Sequence, residues 1–273
     1  MNRRRLLSLS AAAFASGAVR LRAAGGLQLQ ARRRNDSGQP VEETLLWDPA
    51  QTAIIICDMW DDHWCKSASR RVGEIAPRMN DVVAAARGLG VRIVHAPSDV
   101  IDFYADAPQR RRILETPHAE PPVPIARWCY LEKDKEGALP VDDSDGGCDD
   151  ANPVDSFRAW SRQHPAIDVA PDDVVSDQGQ EIFNYFRAEG VRHVAIMGVH
   201  TNMCVLGRSF GIRQMTKLGF DVVLVRDLTD AMYDPRDAPY VSHAEGTQLI
   251  IEHVERHWAP SIASADLTRL RAT

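Results

Sequence analysis

Cys204 stands near the end of the stretch Gly198-Val199-His200-Thr201-Asn202-Met203-Cys204-Val205. An apolar run ends at Val199, a short polar turn follows, and a helical pattern begins at Cys204. A thiol at a helix start lies beside backbone N–H groups without intrahelical partners and beside the positive end of the helix dipole. That setting lowers a thiol pKa and makes a nucleophile, and the same N–H groups can hold a developing oxyanion. A cysteine here also serves as a small buried hydrophobe, so position alone leaves both roles open. Asp58 shifts the balance. It ends the apolar run Thr52–Asp58, TAIIICD, and a carboxylate at the end of a buried strand is costly unless it is paired or used. Its bland role is a cap or turn residue. A thiol with a carboxylate beside it is a nucleophile with a proton acceptor.

The elements that must position these groups alternate. Thr52–Asp58, Val91–Ala96 and His193–Val199 read as buried strands, Asp221–Arg226 as another, and Asp173–Ser176 as a weak one. Helical spacing covers Glu74–Leu89, Gln178–Glu189, Cys204–Leu218 and Tyr240–His257, with Gly90, Gly190 and Gly219 closing the first three. This pattern gives an α/β fold with a mainly parallel sheet and helices on both faces. In a sheet of order 3-2-1-4-5, with room for a sixth strand, the first and fourth strands are neighbours at the switch point, where such folds bind ligands. Asp58 follows the first and Cys204 the fourth, so both face one crevice. Residues 97–171 interrupt the alternation with Pro-, Asp- and Gly-rich chain and one helix near Pro108–Glu115. A long insertion of this kind reads as a lid or an oligomer arm.

The chain resembles the isochorismatase-like cysteine hydrolases, a group that includes nicotinamidases, N-carbamoyl amidohydrolases and biuret hydrolases. Two motifs carry the resemblance: AIIICDMWDDHW with Asp58, and MGVHTNMCV with Cys204. GFDVVLVRDLTDAM fits the strand that follows. The resemblance spans about Thr52 to His257 without the insertion. It implies a three-layer α/β/α sandwich, Cys204 as nucleophile and Asp58 as its acid–base partner. It further implies a cis peptide between Val199 and His200, with the His200 and Cys204 amides forming the oxyanion hole. Trp60, His95, Thr201 and Asn202 are expected at the pocket, and Trp64, Phe103 and Tyr104 follow strand ends where they line a pocket or pack a core. The reaction implied is hydrolysis of a C–N bond in a small amide or ureido compound, without an organic cofactor. An enol-ether hydrolase on the same fold and a non-catalytic binding or scaffold protein are the alternatives.

This chain departs from the family at one point. The family triad includes a lysine just after the third strand, where this chain reads Asp173-Val174-Val175-Ser176-Asp177-Gln178-Gly179-Gln180. Arg162, Lys133 or Lys135 from the insertion are left as sources of a cation. Asp177 and Glu181 would add negative charge if they turn inward. The nicotinamidase metal pattern is missing after the second strand, where the chain reads His95-Ala96-Pro97-Ser98-Asp99. Asp61, Asp62, His63, His95 and Asp99 have only generic spacing, and no metal is assigned. His95 also fits a hydrogen-bonded core residue, and His243, His253 and His257 fit surface or capping positions.

Bulk properties agree with a small-molecule enzyme. The 273 residues are 44% hydrophobic and 26% charged, with net charge −6, which fits one or two small globular domains. Residues 1–25 carry five arginines and no acids, so the remainder stands at −11, a poor match to nucleic acid. The arginine cluster Arg3–Arg5 before the apolar run Leu6–Val19 has the form of a twin-arginine export signal over residues 1–25, cleaved near Ala23–Gly26. Export to the periplasm or beyond is therefore expected, with no membrane anchor. Residues 26–46 read as a polar arm, and 47–273 as the hydrolase domain with its insertion. Five cysteines leave at least one unpaired. Cys129 and Cys148 flank a polar loop and are a possible pair. A homo-oligomer is expected from the resemblance.

Overall fold

The computed structural model describes residues 25–271, so the expected export signal lies outside the described residues apart from Gly25. The elements in chain order are β1 (Gly26–Arg34), β2 (Pro40–Trp47), β3 (Thr52–Cys57), α1 (Lys66–Gly88), β4 (Arg92–Ala96), α2 (Pro108–Leu114), α3 (Lys133–Glu136), β5 (Val174–Val175), α4 (Gly179–Glu189), β6 (His193–Val199), α5 (Ile212–Lys217), β7 (Asp221–Asp230), α6 (His243–His257), β8 (Ser261–Ile262) and β9 (Leu270–Arg271). The sheet runs β2-β1-β8-β7-β6-β3-β4-β5, with β9 on β1. From β5 to β8 every pairing is parallel. In the order of the parallel strands this is 3-2-1-4-5 with a sixth strand added, as the alternation predicts. No helix among the described residues is long and apolar enough to cross a membrane.

The alternation of side chains along β3 divides the core. Ala53, Ile55 and Cys57 face α4, α5 and α6, where Ile182, Phe186, Phe210, Ile212 and Val254 complete one layer. Ile54 and Ile56 face α1, with Val72, Met79 and Val83. A strand buried on both faces has to be apolar throughout, and this explains the unbroken run TAIIIC.

Three elements differ from the sequence reading. Residues 26–46 are not an arm but a β-hairpin, β1 and β2, antiparallel to each other and joined to the sheet through β8. Its burial alternates, with Leu27, Leu29 and Ala31 buried on one face, and Arg32 and Arg34, half-buried and paired with Glu255 and Glu252 of α6, make the segment look polar. Helix α1 starts at Lys66, eight residues before the expected Glu74, and runs through Pro77. Its first N–H groups, from Lys66 and Ser67, donate to the Asp150 carboxylate at 2.8 Å each, so the cap comes from the insertion and not from a neighbouring residue. The expected helix Cys204–Leu218 is broken. A π-type turn covers Thr201–Val205, and α5 begins only at Ile212. Between them Gly207 lies under Trp128, whose ring would sit 2.7 Å from an added Cβ, and the Cys129 N–H donates to the Gly207 carbonyl at 2.6 Å. The insertion thus takes up backbone that a continuous helix would use.

Candidate active site

β3 and β6 are adjacent and parallel, with Cys57 in register with Gly198. A Cβ on Gly198 would lie 2.0 Å from the Cys57 carbonyl oxygen, and Gly198 has φ +112°, so only glycine lets the two strand ends come this close. Asp58 leaves β3 with φ +47° and is fully buried, a backbone state rare for a residue with a side chain and held here by its surroundings. The Val199–His200 peptide is cis, as the resemblance implies. The turn after it is tied down on both sides. Thr201 Oγ1 and Thr229 Oγ1 are 2.7 Å apart, and Thr229 Oγ1 donates to the Gly198 carbonyl at 2.7 Å. Asn202 Nδ2 donates to Asp143 at 2.7 Å and to the Met232 carbonyl at 2.9 Å, and Asn202 Oδ1 accepts from the Met232 N–H at 2.9 Å.

On this frame Asp58 and Cys204 meet, and a third group joins them. Arg208 Nε donates to Asp58 Oδ2 at 3.0 Å, and the Ser98 N–H donates to Asp58 Oδ1 at 2.7 Å. The second guanidinium arm reaches Asp99 at 3.4 Å. The Arg208 N–H donates to the Cys204 carbonyl at 3.0 Å, one helical turn on, and the guanidinium lies 5.6 Å from the Trp128 ring centroid. Burial pushes the Asp58 carboxyl up, and Arg208 opposes this with a bond and a positive charge. Burial also pushes the Cys204 thiol well up, Asp58 adds to the rise, and Arg208 works against it. The sequence expectation of a lowered thiol pKa is overturned here. The turn at Cys204 is too short for an aligned helix dipole, and Cys204 is buried beside a carboxylate. Arg208 is held firmly charged by Asp58 and Cys204 against its burial.

Arg208 is the residue that sequence reasoning missed. The expected cations lie elsewhere: Lys135 stands over the Trp258 ring, Lys133 is on α3, and Arg162 is 5.7 Å from the Phe103 ring. The available signal was spacing, because a residue four after Cys204 on a helical turn shares its face. Of the two acids, Glu181 pairs with Arg110 and Ser176, and Asp177 accepts from the Asp99 N–H at 3.0 Å.

The expected pocket residues divide. Trp60 is buried in an aromatic stack: its indole N–H donates to the Ser98 carbonyl at 3.1 Å, and its ring stacks on Trp160 at 4.2 Å. His63 continues the stack, 5.6 Å from Trp160 and 5.2 Å from His200. Thr201 and Asn202 are spent on holding the turn. His95 belongs to the core, with Nδ1 2.9 Å from Gln163 and Nε2 2.9 Å from Asp173. Burial lowers His63 to about 4. It lowers His200 to about 3, with His63 adding to the fall, so both rings are neutral near pH 7. The His63 Nδ1 accepts from the Cys65 N–H at 3.2 Å, which leaves its Nε2 as the donor. His200 Nε2 and Trp160 Nε1 are buried without a partner. A cleft of ≈ 470 Å³ opens on the other side of Arg208, lined also by Asp99, Asp177, Gln178 and Ser209. Asp61, Asp62, His63, His95 and Asp99 do not form a ligand cluster. Asp61 binds Ser161, and Asp62 binds Lys66. His243 and His253 are not surface groups either. The first bonds Asp230, and the second bonds Glu136, each at 2.9 and 2.8 Å respectively.

Comparison with known proteins bears on the fold and the family. A search of curated protein sequences found no match. A cysteine hydrolase from Pseudomonas syringae pv. phaseolicola 1448A superposes with a TM-score of 0.50 at 18% identity, covering 81% of this chain and 92% of that one. An isochorismatase-like hydrolase from Alkaliphilus metalliredigens gives 0.46 at 15% identity, over 81% and 98%. A pyrazinamidase of Pyrococcus horikoshii in complex with zinc gives 0.42 at 18% identity, over 78% and 99%. The sequence model of the isochorismatase domain matches residues 52–242, a span that holds both strand ends, Asp58, Cys204 and Arg208, and the chain belongs to the isochorismatase-domain family.

Proposed function

We propose that this protein is a hydrolase that uses Cys204 to cleave a C–N bond in a small amide or ureido compound. The observation that carries the reading is the meeting of a buried thiol, a carboxylate and a guanidinium at the ends of β3 and β6. In the first half-reaction Asp58 takes the Cys204 proton as the sulfur attacks the carbonyl carbon. The carbonyl electron pair moves to oxygen, and the His200 and Cys204 amides hold the oxyanion. The C–N bond then breaks, and Asp58 returns its proton to the departing nitrogen. In the second, water attacks the thioester, Asp58 takes a water proton, and collapse breaks the C–S bond. The sulfur regains the proton from Asp58. Arg208 stays charged throughout, because a guanidinium does not deprotonate in proteins. Its role is to keep Asp58 ionised in a buried site until the thiol proton arrives. His63 Nε2, Trp160 Nε1 and the neutral His200 ring would offer polar contacts to a small planar substrate beside Cys204.

A panel of aliphatic, aromatic and ureido amides, followed by release of ammonia or amine, tests the reading. Turnover that disappears in Cys204→Ala and Asp58→Asn supports it. Turnover that survives Cys204→Ala sinks it. One observation favours the second reading, an exported binding protein: with arginine in place of the family lysine, Asp58 is left as the sole proton carrier. Thermal stabilisation by an amide that is never hydrolysed would decide for that reading.

A further inference from the structure

Outside the catalytic crevice, one cluster has the chemistry of a ligand set. Cys65, Cys148 and Asp150 bring two thiol sulfurs and a carboxylate oxygen within 4.8 Å of one another. Among the described residues they are the group of three or more such side chains that could hold a cation. The cluster joins two distant segments. Cys65 stands at the cap position of α1, fixed by its N–H bond to His63. Cys148 and Asp150 come from the insertion. Gly147, next to Cys148, is pressed on the chain after β7, where an added Cβ would lie 2.5 Å from the Met232 carbonyl. Asp150 already accepts from Lys66 and Ser67 through one oxygen each, which aims the carboxylate at the start of α1 and leaves it lone pairs for a metal.

The surroundings set these sulfurs apart from ordinary buried cysteines, which sit among hydrocarbon alone. Each has the other sulfur and a carboxylate as neighbours, and the Cys65 thiol also faces Asp149 Oδ1 at 3.8 Å. Met232, Ala68, Trp64 and Met203 close the apolar side. This is soft sulfur, buried, with one hard oxygen that is partly exposed. Magnesium and calcium take oxygen ligands, whereas zinc accepts sulfur and carboxylate together.

We propose that Cys65, Cys148 and Asp150 bind a thiophilic divalent cation of the zinc type, which clamps the insertion to the start of α1. Binding replaces both thiol protons: one dication and two thiols give a neutral bis-thiolate centre, and two protons go to solvent. Asp150 supplies the third ligand as the carboxylate it already is, and water takes the fourth position. The site lies outside the Asp58–Cys204–Arg208 group and does not depend on its chemistry.

The test uses the full chain, reduced, stripped of metal and titrated with cobalt(II) alone. The expected result is one cobalt per chain with a sulfur-to-cobalt charge-transfer band in the near ultraviolet, displaced by one equivalent of zinc. The band is expected to vanish in Cys65→Ser and in Cys148→Ser, and to persist in Cys129→Ser and Cys204→Ser. Asp150→Asn is expected to weaken zinc binding 10- to 100-fold, on the order seen when metal-site groups are removed. If a serine variant does not fold, zinc-edge X-ray absorption of the wild-type chain decides, with two sulfurs expected at about 2.3 Å. No sulfur band with cobalt overturns the proposal. So does a band that survives both serine variants, a zinc shell without sulfur, or a non-reduced chain two hydrogens lighter with Cys65 and Cys148 joined as a disulfide.

Discussion

At the scale of single residues the proposed chemistry turns on how buried Asp58 and Cys204 and the half-buried Arg208 share one proton. Asp58 and burial both hold the Cys204 thiol above its ordinary range, and Arg208 holds it down. Alkylation of Cys204 by iodoacetamide is therefore expected at half-maximal rate above the unperturbed thiol value of about 8.5. Asp58→Asn removes the nearby negative charge and leaves Arg208, so labelling moves to lower pH while turnover is lost. Arg208→Met moves it to higher pH and lowers kcat roughly 100-fold or more, the order found when a charge-stabilising donor leaves an active site. A wild-type labelling midpoint well below 8.5 would show that a dipole, and not Asp58, governs the thiol. The meeting of Asp58 and Cys204 was legible in the sequence, because Asp58 closes one apolar strand, Cys204 lies in the turn after another, and the strand order makes those strands neighbours. Arg208 was not, because the family lysine lies after the third strand, whereas the cation here comes from the segment just after Cys204. His95 was misplaced for a related reason: a histidine at a strand end looks like a pocket group until its partners, Gln163 and Asp173, arrive from distant chain.

At the scale of elements the approach of β3 to β6 is the tightest constraint. Gly198→Ala places a methyl group 2.0 Å from a backbone oxygen, and neither strand can retreat from a sheet buried on both faces. A loss of at least about 3 kcal/mol in urea unfolding is expected. A second strong element is the buried cluster under α3 and α6, where Glu136 accepts from Arg213 at 2.8 Å on each oxygen and from Trp258 at 2.8 Å. Glu136→Leu leaves the Arg213 charge buried and unpaired and is expected to cost roughly 3–5 kcal/mol by the same measurement. The parallel strands, their order and most helices could be read from alternation and Gly stops, which are local signals. The hairpin and the two altered helices could not, because their determinants are tertiary. The arginines of β1 take their partners Glu255 and Glu252 from the distant α6, Asp150 caps α1 from across the chain, and Trp128 and Cys129 break the helix after Cys204.

For the whole molecule, pH acts through histidines buried in the neutral state. Burial depresses His63 from 6.5 to about 4 and His200 from 6.5 to about 3. Groups of this kind contribute stability above the unfolded value of 6.5, and that stability is lost as pH falls toward the folded values. His243 has the opposite sign, since Asp230 raises it in spite of burial. Its contribution is full below 6.5 and fades as pH rises through its folded value. The urea midpoint is therefore expected to fall steadily from pH 6.5 to pH 4, and His63→Gln is expected to remove on the order of 3 kcal/mol of that fall in stability. A slope unchanged in the variant would remove His63 from the account. The sheet has a consequence of a different kind. The first and last described strands are partners, with Gly26 opposite Arg271 and Leu27 opposite Leu270, so the ends of the described chain lie side by side. A few flexible residues would join these ends, and the turn between β1 and β2, where Gly38 has open space around it, offers a place to start the chain anew. A circularly permuted protein opened there would keep every layer of the sandwich, and its native circular dichroism would show that the order of synthesis is incidental to the fold.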